Sequence, residues 1–79
     1  MTANLFTAKD LAQLRAALAS GQEIRLVRTL GPVTVIASTC PATPVWGCDM
    51  LVCLQRFYPW GSRRQYYRSV DEMMPFLDD

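Results

Sequence analysis

Histidine is absent from the sequence. With it go the usual general base near neutral pH, the Ser-His-Asp and Cys-His nucleophile arrangements and the commonest metal ligand. Glycine is scarce and scattered, because Gly21, Gly31, Gly47 and Gly61 stand far apart. No glycine-rich loop can therefore gather several backbone N–H groups round a phosphate, which argues against nucleotide hydrolysis. The only close carboxylate pairs are Asp71-Glu72 and Asp78-Asp79. Adjacent side chains diverge and make poor acid–base partners, so no catalytic residue is assigned, no cofactor is called for and the chain is expected not to be an enzyme.

A long hydrophobic run is missing as well. Residues Met1 to Asn4 have neither a positive start nor an apolar stretch, and Lys9, Asp10 and Arg15 break up the segment after them. No signal peptide and no membrane span are expected, and a cytosolic location is the corresponding expectation. Cysteine is present at Cys40, Cys48 and Cys53, an odd count without a C-x-x-C pair. Zinc would need a fourth ligand such as Asp49 at spacings unlike those of structural zinc sites, so no metal site is assigned. Reduced thiols are favoured over a Cys40–Cys48 bridge, and Cys53 reads as a small buried residue on a strand.

The residues that are present suit one small globular domain. The chain has 79 residues, 51% hydrophobic and 19% charged, too apolar for a disordered tail and too short for two cores. Thr7 can cap a helix, Asp10 can reach back to it as a variant capping box, and Phe6 and Leu11 occupy the staple positions. Leu11, Leu14 and Leu18 then recur at helical spacing before Gly21, which predicts a helix over residues 8–20 with its leucines in the core.

Residues 23–30 alternate, with Ile24, Leu26 and Arg28 on one face and Arg25, Val27 and Thr29 on the other. Gly31-Pro32 breaks that strand, and the β-branched residues of 33–39 predict an antiparallel partner for it. Residues 40–48 hold Pro41, Pro44 and Gly47 and read as an irregular loop, with Trp46 folded back over the core in preference to standing as an exposed anchor. Residues 49–58 form the longest strand, Pro59-Trp60-Gly61-Ser62 turns the chain, and residues 63–68 return. Ser69-Val70-Asp71-Glu72 is a capping box for a last helix that Pro75 keeps short, and Asp78 and Asp79 read as a frayed tail. The two Trp-Gly pairs have dissimilar flanks and mark no repeat. The order α-β-β-β-β-α predicts an α+β fold, a four-stranded antiparallel sheet covered on one face by the N-terminal helix and a short C-terminal helix.

Charge is segregated along the chain. Between residues 54 and 69 stand Arg56, Arg63, Arg64 and Arg68 with no acid, while residues 70–79 hold Asp71, Glu72, Asp78 and Asp79 with no base. The basic stretch also carries Phe57, Tyr58, Trp60, Tyr66 and Tyr67, a composition that suits binding of a macromolecule. Arg56, Tyr58, Trp60, Arg63, Arg64, Tyr66 and Arg68 are the candidate partner-binding residues. With a three-residue loop at 59–61, Arg56 and Tyr58 share a face with Arg64, Tyr66 and Arg68; a one-residue shift scatters the set. The competing reading is ordinary sheet packing, arginines lying over tyrosines and Phe57 and Tyr67 in the core.

Nucleic acid is a possible partner for such a hairpin, but the net charge of +1 is low for a nucleic-acid binder and favours a protein. A structural or assembly subunit is the third reading. Small motif-poor chains of this kind are frequent among phage and mobile-element products that block host machinery, anti-CRISPR proteins included, an analogy of size and composition alone. So apolar a short chain is also expected to form a homodimer, through an edge strand or the apolar 50–54 face.

The cysteine pattern makes the thiols dispensable. A variant carrying Cys40→Ser, Cys48→Ser and Cys53→Ala should fold, with a packing cost on the order of 1 kcal/mol at position 53 and less at the others. Thermal melts with and without reductant and chelator check this, and unfolding of the parent chain by either reagent would contradict it.

Overall fold

The computed structural model describes residues 5–77. Met1 to Asn4 and the tail expected at Asp78 and Asp79 lie outside the described residues. Helix α1 spans Ala8–Ser20, as its signals require. The Thr7 hydroxyl accepts from the Asp10 N–H at 3.1 Å, the Asp10 carboxylate accepts from the Thr7 N–H at 3.0 Å, and Gly21 ends the helix at φ 74°. Four strands come next, β1 (Arg25–Leu30), β2 (Val33–Pro41), β3 (Met50–Tyr58) and β4 (Gly61–Tyr67). They form one antiparallel sheet in the order β1-β2-β3-β4, and α2 (Val70–Met73) closes the architecture before a 3-10 turn at Met74–Phe76. The α+β fold read from the sequence is the fold observed.

Alternation along the strands sends one set of side chains under the helices. Val35 and Ala37 of β2 and Val52 and Leu54 of β3 pack with Phe6, Leu14, Val70 and Met73 as the buried core. Helix α1 lies over β2 and β3, and α2 lies over β3 and β4. The opposite face, bearing Ile36, Leu51, Cys53 and Phe57, has no α-helix over it among the described residues.

Several boundaries differ from the sequence expectation. Strand β1 starts at Arg25 rather than at residue 23 because the buried Thr39 hydroxyl takes over the preceding segment. It accepts from the Ile24 N–H at 2.8 Å and donates to the Gln22 carbonyl at 2.6 Å. Strand β2 runs past residue 39 because Cys40 and Pro41 pair with Leu51 and Met50. The loop therefore begins only at residue 42, and Trp46 sits in a 3-10 turn, Pro44–Trp46. At the first hairpin, Gly31 at φ 59° followed by proline has the φ pattern of a type II′ turn, which suits the strand twist. In α2 the Ser69 hydroxyl accepts from the Glu72 N–H at 3.2 Å, one half of the expected box.

Arg28 joins helix to sheet. Its guanidinium donates to the Asp10 carboxylate at 2.9 Å and to the Val27 carbonyl at 2.8 Å, and lies 5.9 Å from the centre of the Phe6 ring. The Thr7 N–H is the largest cause that holds the Asp10 carboxyl below its ordinary value of 3.8, and Arg28 adds to it against the cost of burial. A carboxyl lowered by folding stabilises the folded state above its unfolded pKa and loses that contribution as pH falls through the folded value. Thermal melts should therefore show stability declining below about pH 4. Asp10→Asn should be less stable at pH 7 and show a shallower decline; an equally steep decline would remove Asp10 from the account.

Candidate functional site

The second hairpin decides where the candidate residues point. Tyr58 pairs with Gly61, Phe57 with Ser62 and Arg56 with Arg63, so the turn has two residues, Pro59 and Trp60, rather than three. The expected sharing of one face by Arg56, Tyr58, Arg64, Tyr66 and Arg68 does not occur. Directly paired residues share a face, so Arg56, Tyr58 and Arg63 lie on the helix side. Arg64 and Tyr66 lie on the open side, and Arg68 is exposed one residue beyond the strand.

Arg56 is only 4% exposed and donates to the Phe76 carbonyl, which pins the C-terminal 3-10 turn across β3 and β4. Its contacts in the isolated chain are structural, and it offers little accessible surface to a partner. Tyr58 stacks on Trp60 with centroids 5.0 Å apart, and Trp60 stands 81% exposed at the tip. Tyr67 packs against the core and stacks on Phe76, as its core assignment requires. Phe57 is 38% exposed on the open side, not in the core, because it sits one residue out of phase with Arg56.

On the open face Tyr66 meets Trp46, their rings tilted at 6.4 Å between centroids. Trp46 covers this side of the sheet, opposite to the helix-packed core. Together with Cys40, Pro41, Thr43 and Leu51 the two rings line a groove of about 260 Å³. Sequence reasoning did not join them: they lie twenty positions apart, one on the 3-10 turn between β2 and β3 and the other on β4. Beside the groove, Gln55 holds Arg64. With its amide oriented by its neighbours, the Gln55 oxygen accepts from Arg64 Nε at 3.1 Å and Nη2 at 2.9 Å.

Charge is divided by element. The strands contain Arg25, Arg28, Arg56, Arg63 and Arg64 and no aspartate or glutamate. The acids of the described residues lie on helices and connecting segments, Asp10 paired with Arg28 and Asp71 with Arg15. All three cysteines are free thiols. Burial pushes the Cys53 thiol up, and burial with the nearby Glu23 charge does the same at Cys40. Both thiols are therefore protonated at neutral pH and poor nucleophiles. Among the described residues no cluster of three cysteine or acidic side chains could hold a metal ion. Residues 50–54 are buried within one copy and offer little surface to a second one.

The two kinds of arginine should separate in stability measurements. Arg56→Leu strands the Phe76 carbonyl and should cost about 2 kcal/mol, whereas Arg64→Ala should stay within about 0.5 kcal/mol of the parent in urea denaturation. Equal costs would contradict the division into a buried structural arginine and a surface one.

Compared with known proteins, the chain matches no family model, no curated protein and no solved structure.

Proposed function

We propose that this chain is a non-catalytic binding protein whose open sheet face docks a protein partner. The observation that carries the reading is the union, on the face that no α-helix covers among the described residues, of the Trp46–Tyr66 groove with Arg64, in a sheet that has no acidic residue in any strand. Aromatic rings and arginine are the side chains that contribute most where proteins meet, since they bury much area for little lost freedom and bond in several directions. Protonated thiols and the absence of histidine fit a surface that binds without reacting. A cytosolic setting and an inhibitor-like action, covering a working surface of host machinery as small phage and mobile-element proteins do, belong to the same proposal.

Nucleic acid is the second reading, but the geometry does not favour it. A backbone track needs aligned cations, whereas Arg63 and Arg64 point to opposite faces and Arg56 is buried.

Affinity isolation with the parent chain and with a Trp46→Ala, Tyr66→Ala variant tests the proposal. A protein retained by the parent, once purified, should bind the variant at least about tenfold more weakly, a loss of about 1.4 kcal/mol. An unchanged affinity would contradict it. So would tight binding of labelled DNA or RNA that persists at about 150 mM salt.

A further inference from the structure

Strand β4 is an edge, and among the described residues no strand pairs with the outer side of its Gly61–Tyr66 segment. It is last in the sheet order, and among those residues every backbone hydrogen bond between it and another element goes to β3. In an antiparallel ladder alternate residues of such a strand aim their N–H and C=O groups outward. Natural edges are blunted by bulges, prolines, shortness or charge. Here Gly61–Tyr67 has no proline, and its register with β3 runs unbroken from Val52–Tyr67 to Tyr58–Gly61. Of the usual devices only charge is left, in Arg63 and Arg64 on the strand and Arg68 just beyond it.

Those arginines decide which strand can be added. No ion pair engages Arg63, Arg64 or Arg68 among the described residues. Arg63 also stands directly opposite Arg56, and like charges across a ladder repel. A second copy pairing β4 with β4 would bring two such arginine sets together and add to that repulsion. An acidic strand would relieve it, so the charge that blocks self-pairing selects for a partner of opposite sign.

On the reading that this face binds a protein, we propose that the partner contributes an extended acidic segment that adds to β4 as a fifth strand. Backbone pairing would supply affinity and side-chain pockets would supply selectivity. Register fixes the pattern. Adjacent acids would meet Arg63 on the helix side and Arg64 on the open side. In an antiparallel added strand, an apolar residue two positions before the acid that faces Arg64 would lie beside Tyr66, at the mouth of the groove shared with Trp46. Gln55 already holds the Arg64 guanidinium over that face, which reduces the ordering cost of binding.

Short labelled peptides test this: one β-forming sequence with two adjacent glutamates, the first preceded two positions earlier by an apolar residue, which is the order an antiparallel fifth strand requires; the same with two lysines; and the first with alternate backbone amides N-methylated. At about 50 mM salt the acidic peptide should bind and protect alternate β4 amides from hydrogen exchange. The lysine and N-methylated peptides, and an Arg63→Ala, Arg64→Ala variant with an unchanged melt, should each bind at least about tenfold more weakly. Failure of the acidic peptide to bind would overturn the inference. So would binding indifferent to N-methylation, which reports surface charge without strand addition, and β4 amides already protected in a concentration-dependent dimer. None of these results touches the proposal of an open-face protein site, which stands or falls with the Trp46→Ala, Tyr66→Ala variant.

Discussion

The structure depends most on the two-residue turn between Tyr58 and Gly61. A sheet alternates its side chains with a period of two, so the number of residues in a hairpin turn decides which residues of the returning strand share a face with which of the outgoing one. Two residues place Arg63 opposite Arg56 and Arg64 opposite Gln55. The results are an arginine buried against the C-terminal turn, an arginine held over the open face, Tyr67 in the core and Tyr66 against Trp46. The division of a single basic, aromatic stretch into a structural half and an exposed half is a consequence of this parity.

Two acids of the helix layer, Asp10 and Asp71, are used internally. Asp10 closes the capping box with Thr7 and receives Arg28 from β1, and Asp71 receives Arg15. Thr39 ties the segment between α1 and β1 to β2. With Asp10 and Asp71 engaged, the β4 end of the sheet keeps cations without partners of opposite sign among the described residues. The open face and the β4 edge present arginines, unpaired with any acid among the described residues, beside aromatic rings, although the whole chain carries a charge of only +1.

Helix α1 was legible to the residue, because capping box, leucine spacing and terminal glycine are all local signals. The strand count and the one-sided cover were legible for the same reason. The register of β3 with β4 was not, since Pro59-Trp60-Gly61 is compatible with a turn of two or three residues and the choice is made by packing across the sheet. Phe57 illustrates the cost: apolar and within a strand, it reads as core, yet its phase puts it on the open side. Cys40 and Pro41 read as loop because proline removes a donor, but at the last rung of a strand that loss is tolerated. Arg56 and Arg64 look equivalent in the sequence; the hairpin parity puts them on opposite faces, and the return of Phe76 over β3 buries Arg56.

The division of the hairpin between two faces is the central claim, and contacts between aromatic rings in a nuclear Overhauser spectrum of the free protein test it most directly. The account predicts cross-peaks between Trp46 and Tyr66 and between Tyr67 and Phe76, and none between Tyr66 and Phe76. A Tyr66–Phe76 contact would place Tyr66 under the helices, restore the three-residue turn and contradict the account.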